Sequence, residues 1–240
     1  MASIITEDDK RKSALETLRD EPPLVLLCFN EAAKGRKGKD QIGVLAISCI
    51  KSNTRRWFTM VTPTTPEDDI NGKDAEGVGC IFAGIGHYGD FKRLFEIYKE
   101  IVQEDARPTG IYGNFTESTV GRLSEFIRDK FSSADEINAY AVEIAVATLW
   151  RGEIEIFRVK FDGNLEKNIP YCIIGGSQAV GRSSKSATES AEQICRKLYA
   201  KWERTGQLPD IGIVKKAAGR IVSLYKPAGK IVAVSAAIPY

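Results

Sequence analysis

The sequence contains one motif with a recognised binding chemistry, the glycine pattern Gly84-x-Gly86-x-x-Gly89. Between a strand and a helix, such a pattern is the fingerprint of dinucleotide sites, where glycines let the backbone approach a pyrophosphate. That site also needs a second apolar strand after the helix. The segment EDARPTGIYGN that follows offers only Ile111 and Tyr112. We therefore expect a bend that allows close packing and no dinucleotide site, and a nucleotide-binding enzyme is kept as an alternative.

Residues for nucleophilic or metal chemistry are few. His87 is the single histidine, which excludes multi-histidine zinc sites and any serine or cysteine triad that does not use it. We interpret it as a surface or capping residue. The cysteines are scattered, odd in number and without a C-x-x-C pair, which predicts buried free thiols in a reducing compartment. They are Cys28, Cys49, Cys80, Cys172 and Cys195.

Charge is nearly balanced, with 34 basic and 32 acidic residues and a net charge of +2. Basic residues cluster at 34–39 and, along one predicted helix, at Arg196, Lys197, Lys201 and Arg204. The cluster at 34–39 has no interleaved aromatic residues for base stacking, and the helical cluster is equally expected on the solvent-exposed face of an amphipathic helix. We interpret both as solvated surfaces and expect no nucleic-acid partner.

Hydropathy argues against a membrane protein, because no apolar run reaches the about 20 residues that a spanning helix needs. The first residues, MASIITEDDKRK, lack the apolar core of a secretory signal and are too acidic for a typical transit peptide. We expect a soluble, cytoplasmic protein without metal or cofactor.

Hydrophobic periodicity predicts grouped helices and strands. Helices are predicted at 6–20 with Thr6 as N-cap, from 90 to 108, at 116–131, from 186 onward and at 209–225. Strands are predicted at 23–30, 41–50, 55–62, 77–84, 141–150, 153–161, 170–176 and 229–238. Grouping of this kind favours an α+β fold over a parallel βαβ sheet, and we expect one domain.

Two local details refine this scheme. We expect the three strands between 141 and 176 to form an antiparallel meander, with Asp162-Gly163 opening its second connection. Ser186-x-x-Glu189 matches a capping box and predicts a helix start there.

Several stretches, taken in order, resemble the proteasome subunit family of the N-terminal nucleophile hydrolase fold. GVLAISC resembles its second strand, and GCIFAG followed by GHYGDFKRLFEIY resembles its junction between a strand and the first helix. EIEIFRVKFDGN with PYCIIGGSQAVG, and the closing GKIVAVSAAI, resemble later strands. The resemblance implies a four-layer α-β-β-α sandwich, two antiparallel sheets between helix pairs, at 23–240. Residues 1–22 would form an N-terminal extension with a short helix.

In active members of that family, the first strand begins with a threonine, serine or cysteine whose own α-amino group, with a pKa of about 8, acts as the base. Here the first strand begins at Pro23-Leu24, which supplies no nucleophile. Cys28 lies too far along the strand, so we predict a core thiol. Arg55 or Arg56 falls near the place of the catalytic lysine, and an arginine is not a tunable base. We assign no catalytic residue.

The resemblance therefore implies a divergent, non-catalytic subunit in protein degradation, a structural or gating component of an oligomeric ring. Its expected partners are copies of itself or ring partners of the same fold. An N-terminal nucleophile peptidase or amidase matured at an unusual site is the alternative. Two predicted helices have one more large apolar residue than a single buried stripe requires, namely Phe126 and Trp202. This predicts contacts with a neighbouring subunit. The alternative is that Trp202 folds back on the last helix.

Overall fold

The computed structural model describes residues 6–19, 23–29, 41–49, 57–61, 79–106, 117–133, 140–150, 153–167, 169, 171–175, 181–205, 209–225 and 231–239. Its helices are α1 (Glu7–Arg19), α2 (Tyr88–Ala106), α3 (Glu117–Ser133), α4 (Gly181–Thr205) and α5 (Ile211–Leu224). Its strands are β1 (Leu24–Phe29), β2 (Gln41–Cys49), β3 (Trp57–Val61), β4 (Gly79–Gly86), β5 (Val142–Trp150), β6 (Glu153–Val159), β7 (Leu165–Glu166), β8 (Tyr171–Ile174) and β9 (Ile231–Pro239).

The strands form two antiparallel sheets. One has the order β8-β1-β2-β9, and the other has the order β3-β4-β5-β6-β7. The predicted neighbours β1 and β2 pair over Leu24↔Ser48 to Phe29↔Gly43, and β9 closes the first sheet beside β2. The expected α+β class is confirmed.

The burial of β1 places this sheet in the middle of four layers. Leu24, Leu26 and Cys28 contact residues of β4, β5 and β6 in the other sheet. The alternate residues Val25, Leu27 and Phe29 contact α4 and α5. Because successive strand residues point to opposite faces, β1 is covered on both sides, which explains its unbroken apolar sequence.

The second sheet is covered by α2 and α3. Phe82 of β4 is fully buried, and its ring centroid lies 5.3 Å from that of Phe91 and 5.2 Å from that of Tyr98. Buried Leu123 and Ile127 of α3 belong to the same cluster. The apolar positions that the helical period predicted for these segments therefore face the sheet. The four-layer α-β-β-α sandwich is confirmed.

The prediction of a three-strand meander is wrong in its third member. β5 and β6 pair as expected, but β8 lies in the other sheet beside β1, where Leu26 is opposite Cys172. The strand next to β6 is the two-residue β7. A tight turn, in which Gly163 has a φ of 76°, returns the chain at once along β6. Apolar alternation predicts a strand but does not specify its neighbour.

The predicted capping box is also wrong, because α4 begins at Gly181 and Ser186 lies inside the helix. The start of α5 is as predicted, since the Asp210 carboxylate accepts a hydrogen bond from the Ile213 N–H at 3.1 Å. At α1, Thr6 caps as expected, since its Oγ1 accepts from the Asp9 N–H at 3.2 Å.

Helix α1 packs at one end of the sandwich. Its Lys10 is 4% exposed, and Nζ donates to the Phe131 carbonyl at 3.0 Å, near the end of α3. An ammonium group at this position complements the negative end of the helix dipole. The Leu18 side chain lies next to Gly86. Residues 6–19 of the predicted extension are therefore fixed to the sandwich.

Candidate functional site

The start of β1 is where the family resemblance would place a nucleophile. Pro23 is buried and Leu24 is 2% exposed, and no residue from 23 to 29 carries a hydroxyl or a carboxylate. Cys28 is 3% exposed. Burial, and then the neighbouring Cys172, raise the pKa of the Cys28 thiol far above its usual value. Since the thiolate is the reactive form, this thiol is inert at neutral pH, as predicted for a core cysteine.

Two other thiols have the same character. Cys172 and Cys195 are buried and free, and burial raises the pKa of each to about 12. For Cys172, desolvation outweighs the opposite effect of the Arg158 charge. The side chains of Cys49 and Cys80 lie outside the described residues.

Tyr199 of α4 completes the hydrogen bonding of β1. Its hydroxyl accepts from the Cys28 N–H at 3.1 Å and donates to the Cys28 carbonyl at 3.0 Å. The described pairing of β8 with β1 runs from Leu24↔Ile174 to Leu27↔Tyr171, and Cys28 is the next residue of β1. The hydroxyl therefore satisfies both backbone polar groups of Cys28. No sequence pattern indicated this role, because Tyr199 falls on an apolar helical stripe.

A charged cluster lies on the face of the second sheet that is turned to the first. Arg158 of β6 donates to the Glu143 carboxylate at 3.1 Å and lies 3.5 Å from Glu166, which also pairs with Lys160 at 2.6 Å. Burial, the largest single cause, lowers the pKa of Arg158, but the charges of Glu143, Cys172 and Glu166 and the hydrogen bond to Glu143 together outweigh it, and the pKa is raised. The four groups cancel in charge, so we interpret the cluster as structural.

The glycines of the nucleotide-like motif are explained by packing. A Cβ on Gly84 would lie 2.7 Å from the Phe91 ring, and one on Gly86 would lie 2.0 Å from the Ala141 carbonyl oxygen. Gly86 also has a φ of 109°, which favours glycine. Furthermore, β4 pairs antiparallel with both of its neighbours, unlike the parallel strands of a dinucleotide unit. The expected bend for close packing is thus found.

His87 directly precedes α2 and is exposed. Its carbonyl accepts from the Phe91 N–H at 3.0 Å, and its Nδ1 lies 3.2 Å from the Asp90 carboxylate. This is the predicted capping position. Among the described residues, no group of three or more His, Cys, Asp or Glu side chains is placed to hold a metal ion.

An open groove of about 820 Å³ runs between α3 and the turn that precedes β7. Several of its charged groups have partners: Glu117 pairs with Lys167, and Arg128 donates to the Gly163 carbonyl at 3.2 Å. Ser124 donates to the same carbonyl at 2.6 Å. The groove is therefore polar and lined by charges of both signs.

The predicted basic positions on α4 are exposed. Lys197, Lys201 and Arg204 lie on its outer face, and Arg196 pairs with Glu192. The basic run at 34–39 and the positions Arg55 and Arg56 lie outside the described residues. No described helix is long and apolar enough to cross a membrane.

Phe126 and Trp202 both have partners inside the chain. The Phe126 ring lies 6.1 Å from Tyr140. The Trp202 ring lies 5.7 Å from Phe29 and 5.9 Å from Tyr199, and it packs against the cluster that includes α5. Both rings have contacts within the chain, so their occurrence beyond one buried helical stripe does not by itself indicate a partner subunit.

No family model and no curated protein sequence matches this chain.

Proposed function

We propose that the protein is a non-catalytic, proteasome-like subunit that serves as a structural or gating component of an oligomeric assembly. One observation carries the proposal. The chain forms a two-sheet sandwich in which the first strand begins with buried Pro23 and Leu24, at the position where the resembling family keeps its nucleophile.

The contacts of α1 support this proposal. The helix is held by the hydrogen bonds from Lys10 to α3 and by an ion pair of 3.3 Å between Arg11 and Asp162. Ala14 and Leu18 extend the cluster between the two sheets. A segment anchored in this way is part of the folded domain, whereas a propeptide must be removed before an N-terminal nucleophile can act.

Two measurements on the full chain test the proposal. We expect intact-mass spectrometry to find α1 retained, and light scattering at micromolar concentration to give a mass several times 26.5 kDa. A mature chain that begins at Thr, Ser or Cys, with peptidase or amidase activity, would show instead a hydrolase matured at an unusual site. A monomer would remove the assembly role.

The nucleotide-binding alternative has its own test. Because packing accounts for Gly84 and Gly86, we expect equilibrium dialysis with NAD, NADP, FAD and ATP to detect no binding in the micromolar range. Micromolar binding that is lost in Gly89→Ala, a substitution at the exposed third glycine, would reverse this ranking.

A further inference from the structure

The two outer helical layers differ in charge. The pair α4 and α5 contains nine basic and three acidic residues. The pair α2 and α3 contains six basic and eight acidic residues. The whole chain has a net charge of only +2, so its positive charge is concentrated on one face of the sandwich. The opposite face has a small negative excess.

The charges of the two layers also differ in their internal pairing. On the α2/α3 layer, ion pairs join Glu96 to Lys99 and Glu104 to Arg122, both partners coming from this layer. Within the part of α4 and α5 that the structure describes, the ion pair is Glu192 with Arg196. Helix α5 has no acidic residue at all. The basic surplus is therefore not neutralised within its own layer.

Each layer also exposes one large apolar side chain. Among the described residues, the exposed large hydrophobic residues are Tyr88, 42% exposed at the start of α2, and Ile213, 47% exposed in the first turn of α5. An apolar side chain surrounded by charged groups is typical of the centre of a protein interface. Ile213 lies one and two turns before Lys216 and Arg220 on the same helix, so it belongs to the basic face.

We propose that the basic α4/α5 face of one copy docks on the acidic α2/α3 face of a second copy, head to tail. The inference rests on the proposed oligomeric function and specifies its contact surfaces. The acidic side includes the exposed Glu100, Glu125 and Asp129. The basic side includes Lys201, Lys216 and Arg220. Opposite charge at the two faces favours this orientation and disfavours basic-to-basic contact between copies.

The occupant is a second copy and not a nucleic acid or a membrane. No exposed aromatic residue is described on α4 or α5, and base stacking needs such residues. The apolar stripe of α4, with Ala191, Cys195 and Leu198, faces the sheet, so it is not available to lipid. A protein face of opposite charge remains, and the α2/α3 layer is such a face.

The dimensions set the size of the interface. Two adjacent helices present a face about 20 Å wide and about 25 Å long, about 500 Å² in projection, which corresponds to the small end of the about 600–1,000 Å² per partner that stable interfaces bury. The contact joins two different surfaces, so it is heterologous. Repetition of a heterologous contact produces a closed ring or an open filament.

Charge reversal tests the two faces separately. The basic-face variant carries Lys201→Glu, Lys216→Glu and Arg220→Glu. The acidic-face variant carries Glu100→Lys, Glu125→Lys and Asp129→Lys. We expect each variant alone to dissociate, with the dissociation constant raised about 100-fold or more because like charges then meet. We expect an equimolar mixture of the two variants to recover the wild-type mass, because the substituted positions then face groups of opposite charge on the neighbouring copy.

Matched controls isolate the charge effect. Lys201→Arg, Lys216→Arg and Arg220→Lys together keep every charge and should leave the mass unchanged. Circular dichroism and thermal melting should be alike for all variants, since every substituted side chain is exposed. Raising NaCl from about 0.05 M to about 1 M, where the screening length falls to about 3 Å, should dissociate the wild-type protein.

The outcomes separate the two proposals. An oligomer that persists in both charge-reversal variants overturns the assignment of faces but leaves the proposed assembly intact. Dissociation in only one of the two variants indicates symmetric contact through the substituted layer and overturns the head-to-tail arrangement. A wild-type monomer at low salt overturns the assembly and its faces together.

Discussion

The α2/α3 and α4/α5 layers cover opposite faces of the sandwich but contact their sheets through different interactions. The α2/α3 layer surrounds Phe82 with three aromatic rings at centroid distances of 5.2 to 5.5 Å. The α4/α5 layer also packs aromatic rings, with Phe29 stacked on Tyr199 at a centroid distance of 4.7 Å, and Tyr199 adds two hydrogen bonds to β1. One layer combines ring packing with a glycine junction, and the other combines ring packing with a buried hydroxyl. Substitutions should therefore affect the two layers by different mechanisms.

The largest effect is expected at the junction of β4 with α2. Gly86→Ala places a methyl group against the Ala141 carbonyl oxygen, which accepts from the His87 N–H at 3.2 Å, and it also requires a left-handed φ. We expect a loss of about 3 kcal/mol or more in the free energy of unfolding, measured with urea. Gly89→Ala is the control, because its Cβ meets only the exposed His87 ring at 3.2 Å. Equal losses at both positions would contradict the packing explanation.

A smaller loss is expected on the other layer. Tyr199→Phe keeps the ring but leaves the Cys28 N–H and carbonyl without the hydroxyl, a cost of about 2 kcal/mol for buried polar groups. Tyr171→Phe is the matched control. It removes the same hydroxyl from a half-buried neighbour, whose ring centroid lies 5.9 Å from that of Tyr199. Chemical denaturation of both variants gives the comparison. An unchanged midpoint for Tyr199→Phe would show that the hydroxyl is not needed to fix α4.

Alkaline pH should affect the α4/α5 layer through Cys195, since α2 and α3 contain no cysteine. Burial raises the pKa of Cys195 to about 12, above the about 8.5 of a free thiol. The stabilisation is therefore complete below about pH 8.5 and is lost as pH rises toward 12, by at most about 1.4 kcal/mol per pH unit. Cys195→Ala should lose less stability than the wild type between these values. Denaturant titrations at several pH values measure the free energy of unfolding of both proteins. An equal loss in the variant and the wild type would contradict this expectation.

The smallest effect concerns one helical glycine in each layer. A Cβ on Gly121 of α3 or on Gly219 of α5 would meet nothing within 4 Å. Each substitution by alanine should add about 0.5–1 kcal/mol of stability, because alanine has the higher helix propensity. Thermal melting measures both. If Gly121→Ala gains stability while Gly219→Ala loses the oligomer, Gly219 lies in the docking face.

Much of the fold could be predicted from the sequence, because periodicity is a local property. Glycine and proline at element ends and the 3.6-residue and 2-residue patterns predicted the elements, and the order of short motifs predicted four layers. The buried character of Cys28 followed from its place in an apolar run. The absence of a nucleophile at 23–24 required only the sequence and the resemblance.

Only the tertiary structure decided which elements meet. β8 has the alternation of any half-buried strand, and its pairing with β1 instead of β6 depends on the turn at Gly163 and on long-range contacts. In the sequence, Tyr199 belongs to an apolar helical stripe and Arg158 to a strand, and neither stands out. Tyr199 bonds to Cys28, 171 residues away, and Arg158 bonds to Glu143, 15 residues away, so both partners lie on other elements. The opposite charges of the helix pairs can be counted in the sequence, but they become opposite faces only because the sheets separate them.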